Sequence, residues 1–176
     1  MKERAVFLDR DGVINKVILC NGKPHSPRKL NEFVFNDGIK EAIFRLKQVG
    51  YKIFVLSNQP DIARGNMTQG VLDLMTQKIR WELPVDDVYI CPHDDDHNCS
   101  CRKPKPGMLL DAAVKWKIDL PSSFVVGDTW KDMEAGSAAG CKSILLDAPY
   151  NQDVHSHSRV KSLQEAADII IKTTNL

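Results

Sequence analysis

Five short strand-like runs, at residues 5–8, 51–56, 87–90, 124–126 and 142–146, alternate with stretches of helical period. Ile39, Ala42, Ile43 and Leu46 share one helical face; so do Val71, Leu72, Met75 and Ile79, and again Leu109, Ala112, Ala113 and Trp116. Residues 131–139 also read as helix. Asp37 and Thr68 stand where N-caps belong, Gly50 and Gly140 where helices end, and Ser162 with Glu165 makes a capping-box pattern before Ala166, Ala167 and Ile170. A chain ordered in this way buries its strands in a mostly parallel sheet with helices on both faces. The expected class is therefore α/β, doubly wound.

The 176 residues suit a single domain spanning 1–176. Residues 15–36, with Gly22, Pro24 and Pro27, read as a long loop or small flap, too short for a large cap domain. A net charge of +1 gives no broad basic surface for nucleic acid. No apolar run approaches the ~20 residues of a membrane span, and the N-terminus lacks a signal-peptide pattern. The expectation is a cytoplasmic monomer without nucleic-acid or membrane partners.

Sheets of this kind gather their chemistry behind the carboxyl ends of the strands. Behind the first run stands Asp9-Arg10-Asp11-Gly12-Val13. Two neighbouring buried carboxylates repel each other, and a hard cation such as Mg²⁺ lets both stay ionised. One can then attack an electrophile while the other moves a proton. Ser57-Asn58-Gln59 follows the second run and offers a hydroxyl and backbone N–H groups to a phosphoryl oxygen. Arg102-Lys103-Pro104-Lys105-Pro106-Gly107 follows the third; Lys103 or Arg102 can offset charge on a transferring phosphoryl group. Behind the fourth comes Gly127-Asp128-Thr129-Trp130-Lys131-Asp132. Asp128 is placed to complete a metal site with Asp9, and Asp132 to reach the same centre or to hold Lys103. Taken one by one, these residues also serve as turn formers, helix caps or solvated charges. Taken together they fit phosphoryl transfer.

Five cysteines without a secretion signal argue against a disulfide framework. Cys91, His93, Cys99 and Cys101 fall within eleven residues, next to the cationic loop. Three thiolates and an imidazole suit tetrahedral Zn²⁺ with no open position, a structural site over 91–101. His97 is the alternative to His93.

In order and spacing, Asp9-x-Asp11-Gly12-Val13, Ser57-Asn58, Lys103 and Gly127-Asp128-x3-Asp132 resemble the four motifs of the haloacid dehalogenase superfamily, over roughly residues 5–146. The resemblance implies that superfamily's Rossmann-like fold and an Mg²⁺-dependent phosphatase. It makes Asp9 the nucleophile, phosphorylated in the reaction, and Asp11 the acid–base. Mg²⁺ would be held by Asp9, Asp128 and the backbone carbonyl of Asp11, with Asp132 in support. Ser57 and Lys103 would hold the phosphoryl oxygens. The zinc loop narrows the likeness to the D-glycero-D-manno-heptose-1,7-bisphosphate 7-phosphatase family, which lacks a large cap and serves lipopolysaccharide synthesis. Arg10, Asn58, Arg64 and Arg102 are then expected on the sugar phosphate substrate. Ser57-Asn58-Gln59-Pro60-Asp61-Ile62-Ala63-Arg64-Gly65 departs from the family's usual Thr-Asn-Gln-Ser-Gly-Ile-Ala-Arg-Gly at its first, fourth and fifth positions, and Thr129 stands where relatives often carry a basic residue. Histidinol-phosphate phosphatases are similar in their zinc loop and aspartates and are the nearest rival. From other classes, a phospho-accepting signalling module and a nucleic-acid end phosphatase compete.

Overall fold

The computed structural model describes residues 2–156 and 158–174. Its strands are β1 (Arg4–Asp9), β2 (Ile18–Cys20), β3 (Lys23–His25), β4 (Tyr51–Asn58), β5 (Asp87–Cys91), β6 (Phe124–Gly127), β7 (Lys142–Leu146) and β8 (Arg159–Val160). Its helices are α1 (Ile39–Gln48), α2 (Pro60–Ala63), α3 (Gln69–Glu82), α4 (Gly107–Trp116), α5 (Trp130–Ala139) and α6 (Leu163–Thr174). Six strands form one parallel sheet in the order β5-β4-β1-β6-β7-β8. The chain winds outward from β1 through β4 to β5, then restarts at β6 and winds the other way. The switch point lies between β1 and β6, where sheets of this type leave a crevice.

Side chains that alternate along a strand divide the core in two. Val6 and Leu8 of β1, Ile53 and Val55 of β4, and Phe124 and Val126 of β6 pack on one face with α1, α3 and α6. Ala5, Phe7, Phe54, Leu56 and Val125 face the opposite way, onto Met108, Leu109 and Ala112 of α4 and Ala135 of α5. Because both faces of β1 are covered, its run from Ala5 to Leu8 is apolar without interruption and fully buried. Among the described residues, no helix is long and apolar enough to cross a membrane.

The helix starts differ in detail from the sequence expectation. Thr68 caps α3, its Oγ1 accepting from Val71 N at 3.3 Å. Asp37 does not cap α1. That position falls to Gly38, at φ +70°, while Asp37 turns outward, 3.6 Å from Lys16. Before α6, Ser162 Oγ accepts from Glu165 N, but the Glu165 carboxylate reaches back to Lys161 N, one residue earlier than the capping box requires.

The flap expected as a loop holds an antiparallel hairpin, β2 against β3. Asn21 and Gly22 turn it, both at positive φ, the two-residue turn that Asn-Gly favours. Arg28 Nε and Nη2 donate to the Asp61 carboxylate at 2.7 and 3.3 Å and tie the flap to α2. Pro60 opens α2, where its missing N–H costs nothing. The Pro60-Asp61 departure thus gives the loop behind β4 one helical turn and an anchor for the flap.

Candidate active site

Asp9 ends β1, and the chain turns at once. Ile14 N and Asn15 N both donate to Arg10 O, at 2.8 and 3.0 Å. Gly12 sits at φ +95°, and a Cβ there would lie 2.0 Å from the Asp128 carboxylate. Only glycine lets the two strand tips approach so closely.

Asp9, Asp128 and Asp132 bring carboxylate oxygens within 4.8 Å of one another. The nearly sealed Lys103 stands among them, Nζ donating to Asp9 Oδ1 at 2.7 Å and Asp132 Oδ1 at 2.6 Å. Asp132 also accepts from Thr129 N and Oγ1 at 3.1 and 2.6 Å. Asp128 Oδ2 accepts from Tyr150 Oη at 2.5 Å, whereas Oδ1 is buried without a hydrogen-bond partner among the described residues. Burial, then Asp132, pushes the Asp128 carboxyl up to about 7. Burial and Asp132 likewise push Asp9 well above the usual carboxylate range, against the pull of Lys103. Burial disfavours the charged form of Lys103, but Asp132 and Asp9 outweigh it and hold the ammonium protonated. Three carboxylates against one ammonium leave the pocket short of positive charge. The orphaned oxygen of Asp128 and the all-oxygen donor set fit a hard divalent cation.

Asp11 lies beside this cluster. Its carboxylate accepts from Arg10 Nε at 3.1 Å and Nη2 at 2.9 Å, from Asn15 Nδ2 at 2.9 Å, Ser26 Oγ at 2.9 Å and Gln59 Nε2 at 2.7 Å. Burial alone would raise its pKa, but the Arg10 charge and these hydrogen bonds hold it below the usual range. Asp11 was expected to meet the metal through its backbone carbonyl, and its side chain indeed lies outside the three-carboxylate cluster, which Asp9, Asp128 and Asp132 form.

A cavity of about 180 Å³ opens over Asp9, Asp11, Asn58, Arg102, Lys103 and Asp128. Asn58 grips the backbone of Lys103: Nδ2 donates to Lys103 O at 2.9 Å and Oδ1 accepts from Lys103 N at 3.1 Å. Ser57 does not line the cavity; it is fully buried and its Oγ accepts from Gln59 Nε2 at 2.7 Å. Arg10, expected on the substrate, is fully buried too, its guanidinium over the Phe33 ring and against Met75. Arg10 stands just past the end of β1, and its guanidinium folds back onto the Asp11 carboxylate and is not part of the cavity lining. Arg64 is spent on Asp94, at 2.5 and 2.6 Å, away from the cavity lining.

At the end of β5, the Sγ atoms of Cys91, Cys99 and Cys101 and Nδ1 of His93 lie within 4.8 Å of one another, with close separations of 3.1 to 3.6 Å. A tetrahedron on metal–sulfur bonds of ~2.3 Å has edges of ~3.8 Å, so these four atoms can hold a metal ion. His97 is engaged with Asp94 N and Asp96 instead. The loop also fixes Arg102, which donates to Asp95 Oδ1 at 2.6 Å and to His93 O at 3.2 Å.

Several partners escaped the sequence reading: Ser26, Gln59, Tyr150 and Asn151. Tyr150 and Asn151 follow β7, the one long strand whose trailing residues were not read. Ser26 comes from the flap, and nothing in its neighbourhood marks it.

A HAD-hydrolase-like family model matches residues 100–174. The D-glycero-β-D-manno-heptose-1,7-bisphosphate 7-phosphatase of Photorhabdus laumondii is 40% identical, over 96% of this chain and 90% of its own. That of Escherichia coli K12 is 39% identical over 81% and 78%, and that of Helicobacter pylori 37% over 95% and 97%. The crystal structure of the D,D-heptose 1,7-bisphosphate phosphatase of B. bronchiseptica, complexed with magnesium and phosphate, superposes with a TM-score of 0.84 at 27% identity, covering 97% of this chain and 99% of that one. With the strand order, the four strand tips and the cysteine–histidine loop, these likenesses place the chain in the D-glycero-β-D-manno-heptose-1,7-bisphosphate 7-phosphatase family of HAD-like hydrolases.

Proposed function

We propose that this chain is a phosphoric monoester hydrolase that removes the 7-phosphate of D-glycero-β-D-manno-heptose 1,7-bisphosphate. The observation that carries this reading is the Asp9–Lys103 contact at the floor of a cavity edged by Asp11 and Asp128. The relatives' shared activity supplies the substrate.

Asp9 attacks the phosphorus. Lys103 and the Arg10 amide, at 2.7 Å each from Asp9 Oδ1, fix its carboxylate for that attack. As the P–O bond to C7 breaks, Asp11 gives its proton to the leaving oxygen. The arriving phosphate dianion offsets the pull of Arg10 and favours that protonated form. The phosphate is now esterified to Asp9. Asp11, again ionised, takes a proton from water as the water oxygen attacks phosphorus and Asp9 departs. Bound Mg²⁺ supplies charge neutralisation for Asp9, Asp128 and the transferring group. The Asp11 side chain is committed elsewhere, so its share in holding that ion falls to its backbone carbonyl. Lys103, set in place by Asn58, meets the phosphoryl oxygens, and Arg102 the rest of the substrate. Ser57 contributes through Gln59, which bridges it to Asp11.

Zn²⁺ is the ion we assign to Cys91, His93, Cys99 and Cys101, where it braces the loop bearing Arg102 and Lys103. In this reading residues 1–176 form one phosphatase domain, a cytoplasmic monomer acting on a small sugar phosphate destined for lipopolysaccharide. The deciding experiment is turnover with Mg²⁺ of both anomers of the bisphosphate and of histidinol phosphate. The β-anomer should be fastest; faster turnover of histidinol phosphate would overturn the substrate assignment.

A further inference from the structure

Tyr150 reaches the active site from a segment that none of the four strand-tip motifs includes. Its hydroxyl donates to Asp128 Oδ2 at 2.5 Å, across 22 residues of sequence. The other oxygen, Oδ1, is the buried atom left without a partner. A carboxylate held at one oxygen and free at the other has its free lone pairs aimed in one direction. Gly12 sharpens this, because its missing side chain is what makes room for that carboxylate.

The segment that delivers Tyr150 is tightly built. Asn151 is 1% exposed. Its Nδ2 donates to Asp128 O and to Leu146 O, both at 2.7 Å, tying the end of β7 to the backbone of Asp128 itself. Its Oδ1 accepts from Ala148 N at 3.1 Å and from Arg159 Nη1 at 3.0 Å. Arg159 of β8 also donates to Asp147, Asn151 O and Val154 O. Every polar atom of the Asn151 side chain is thus spent on holding the turn, and the turn presents one hydroxyl to one carboxylate oxygen. Partners of this kind orient a ligand and set its basicity without touching the ion.

We propose that Tyr150 is a positioning residue for the divalent cation, acting through Asp128 by fixing which oxygen faces the metal. This rests on the cation site proposed above. Removing the hydroxyl frees the carboxylate to rotate, so the variant Tyr150→Phe should bind Mg²⁺ about tenfold more weakly, the low end for an outer-sphere partner. The test is calorimetric titration of Mg²⁺ into metal-free protein without substrate, beside activation of turnover by Mg²⁺. The expected pattern is a raised Mg²⁺ dissociation constant and activation constant, with kcat at saturating Mg²⁺ close to wild type. Thermal melting without Mg²⁺ should stay near wild type, because Asn151 still holds the turn; a variant that melts far lower would make Tyr150 a fold residue and overturn the proposal. Equal or tighter Mg²⁺ binding by Tyr150→Phe would overturn it as well, leaving the cation site standing. If wild-type protein shows no Mg²⁺ binding, the cation site itself falls and the role of Tyr150 with it.

Discussion

Lys103 and Asp132 meet at 2.6 Å between Nζ and Oδ1, with only 5% and 1% of their side-chain surfaces exposed. A buried ammonium stripped of its partner costs about 3–5 kcal/mol. Here Asp9 remains at 2.7 Å to compensate. The Asp132→Asn variant should therefore lose only about 1–3 kcal/mol in urea unfolding, less than that full penalty. Its kcat should fall by on the order of tenfold to a hundredfold, as Lys103 drifts toward Asp9 and away from the phosphoryl oxygens. Unchanged kcat would show that Asp132 is not needed to place the lysine.

The carboxylate excess predicts an unusual pH response in metal-free protein. The Asp128 carboxyl keeps its proton up to about 7 when folded, against an ordinary value of 3.8. Between those limits the native state binds more protons than the unfolded chain. Stability then falls as pH rises through the window. In the presence of a chelator, the melting temperature should be higher at pH 5 than at pH 7. Added Mg²⁺ should raise the pH 7 value and flatten the difference, and Asp128→Asn should flatten it without metal. A melting temperature that rises from pH 5 to 7 in metal-free protein would contradict the crowding of these acids.

The sheet and its chemistry were legible for a simple reason. A parallel strand buried on both faces is a contiguous apolar run, and the residue that leaves it at the carboxyl end enters the crevice. Asp9, Asn58 and Asp128 could be placed by adjacency alone, whereas Lys103 follows β5 only after the cysteine–histidine loop. What adjacency hides is who holds them. Ser26, Gln59 and Tyr150 reach their aspartates across 15, 48 and 22 residues. Arg10, expected on the substrate through the resemblance, is instead buried against Asp11, Phe33 and Met75, contacts that only the folded chain brings together. The hairpin was expected only as a loop, because its two strands are three residues each, too short to show a period. The two-residue β8 is shorter still.

The cysteine–histidine loop predicts about one zinc per chain by metal analysis of protein never exposed to chelator. Stripping it should lower the melting temperature and raise KM more than it lowers kcat. Arg102 leans on His93 O and Asp95, whereas Lys103 is held independently by Asn58, Asp9 and Asp132. Protein free of zinc as isolated, with full activity, would remove the structural-metal assignment.

The flap should be loosened by Arg28→Ala. The Arg28–Asp61 pair is half exposed on the arginine side, so its loss costs stability only about 0–1 kcal/mol. Its position matters more than its strength, because it fastens the chain that carries Ser26 against Asp11. Limited proteolysis near residues 18–25 should quicken, and kcat/KM should fall several-fold. Proteolysis at the wild-type rate would mean that the hairpin is held elsewhere.

Asp11→Asn separates hydrolysis from mere phosphate acceptance. Asparagine fills the same space but cannot give a proton to the departing oxygen or take one from water. Loss of such acid–base help costs about 10²–10⁴ in rate. Both half-reactions slow, whereas a phospho-accepting module would not depend on residue 11 for release. Single-turnover experiments with labelled bisphosphate, quenched in acid, should show rapid phosphate release by wild type and slow release by Asp11→Asn. A wild-type phosphoprotein that persists for minutes, and is no longer-lived in the variant, would favour the signalling module over the phosphatase.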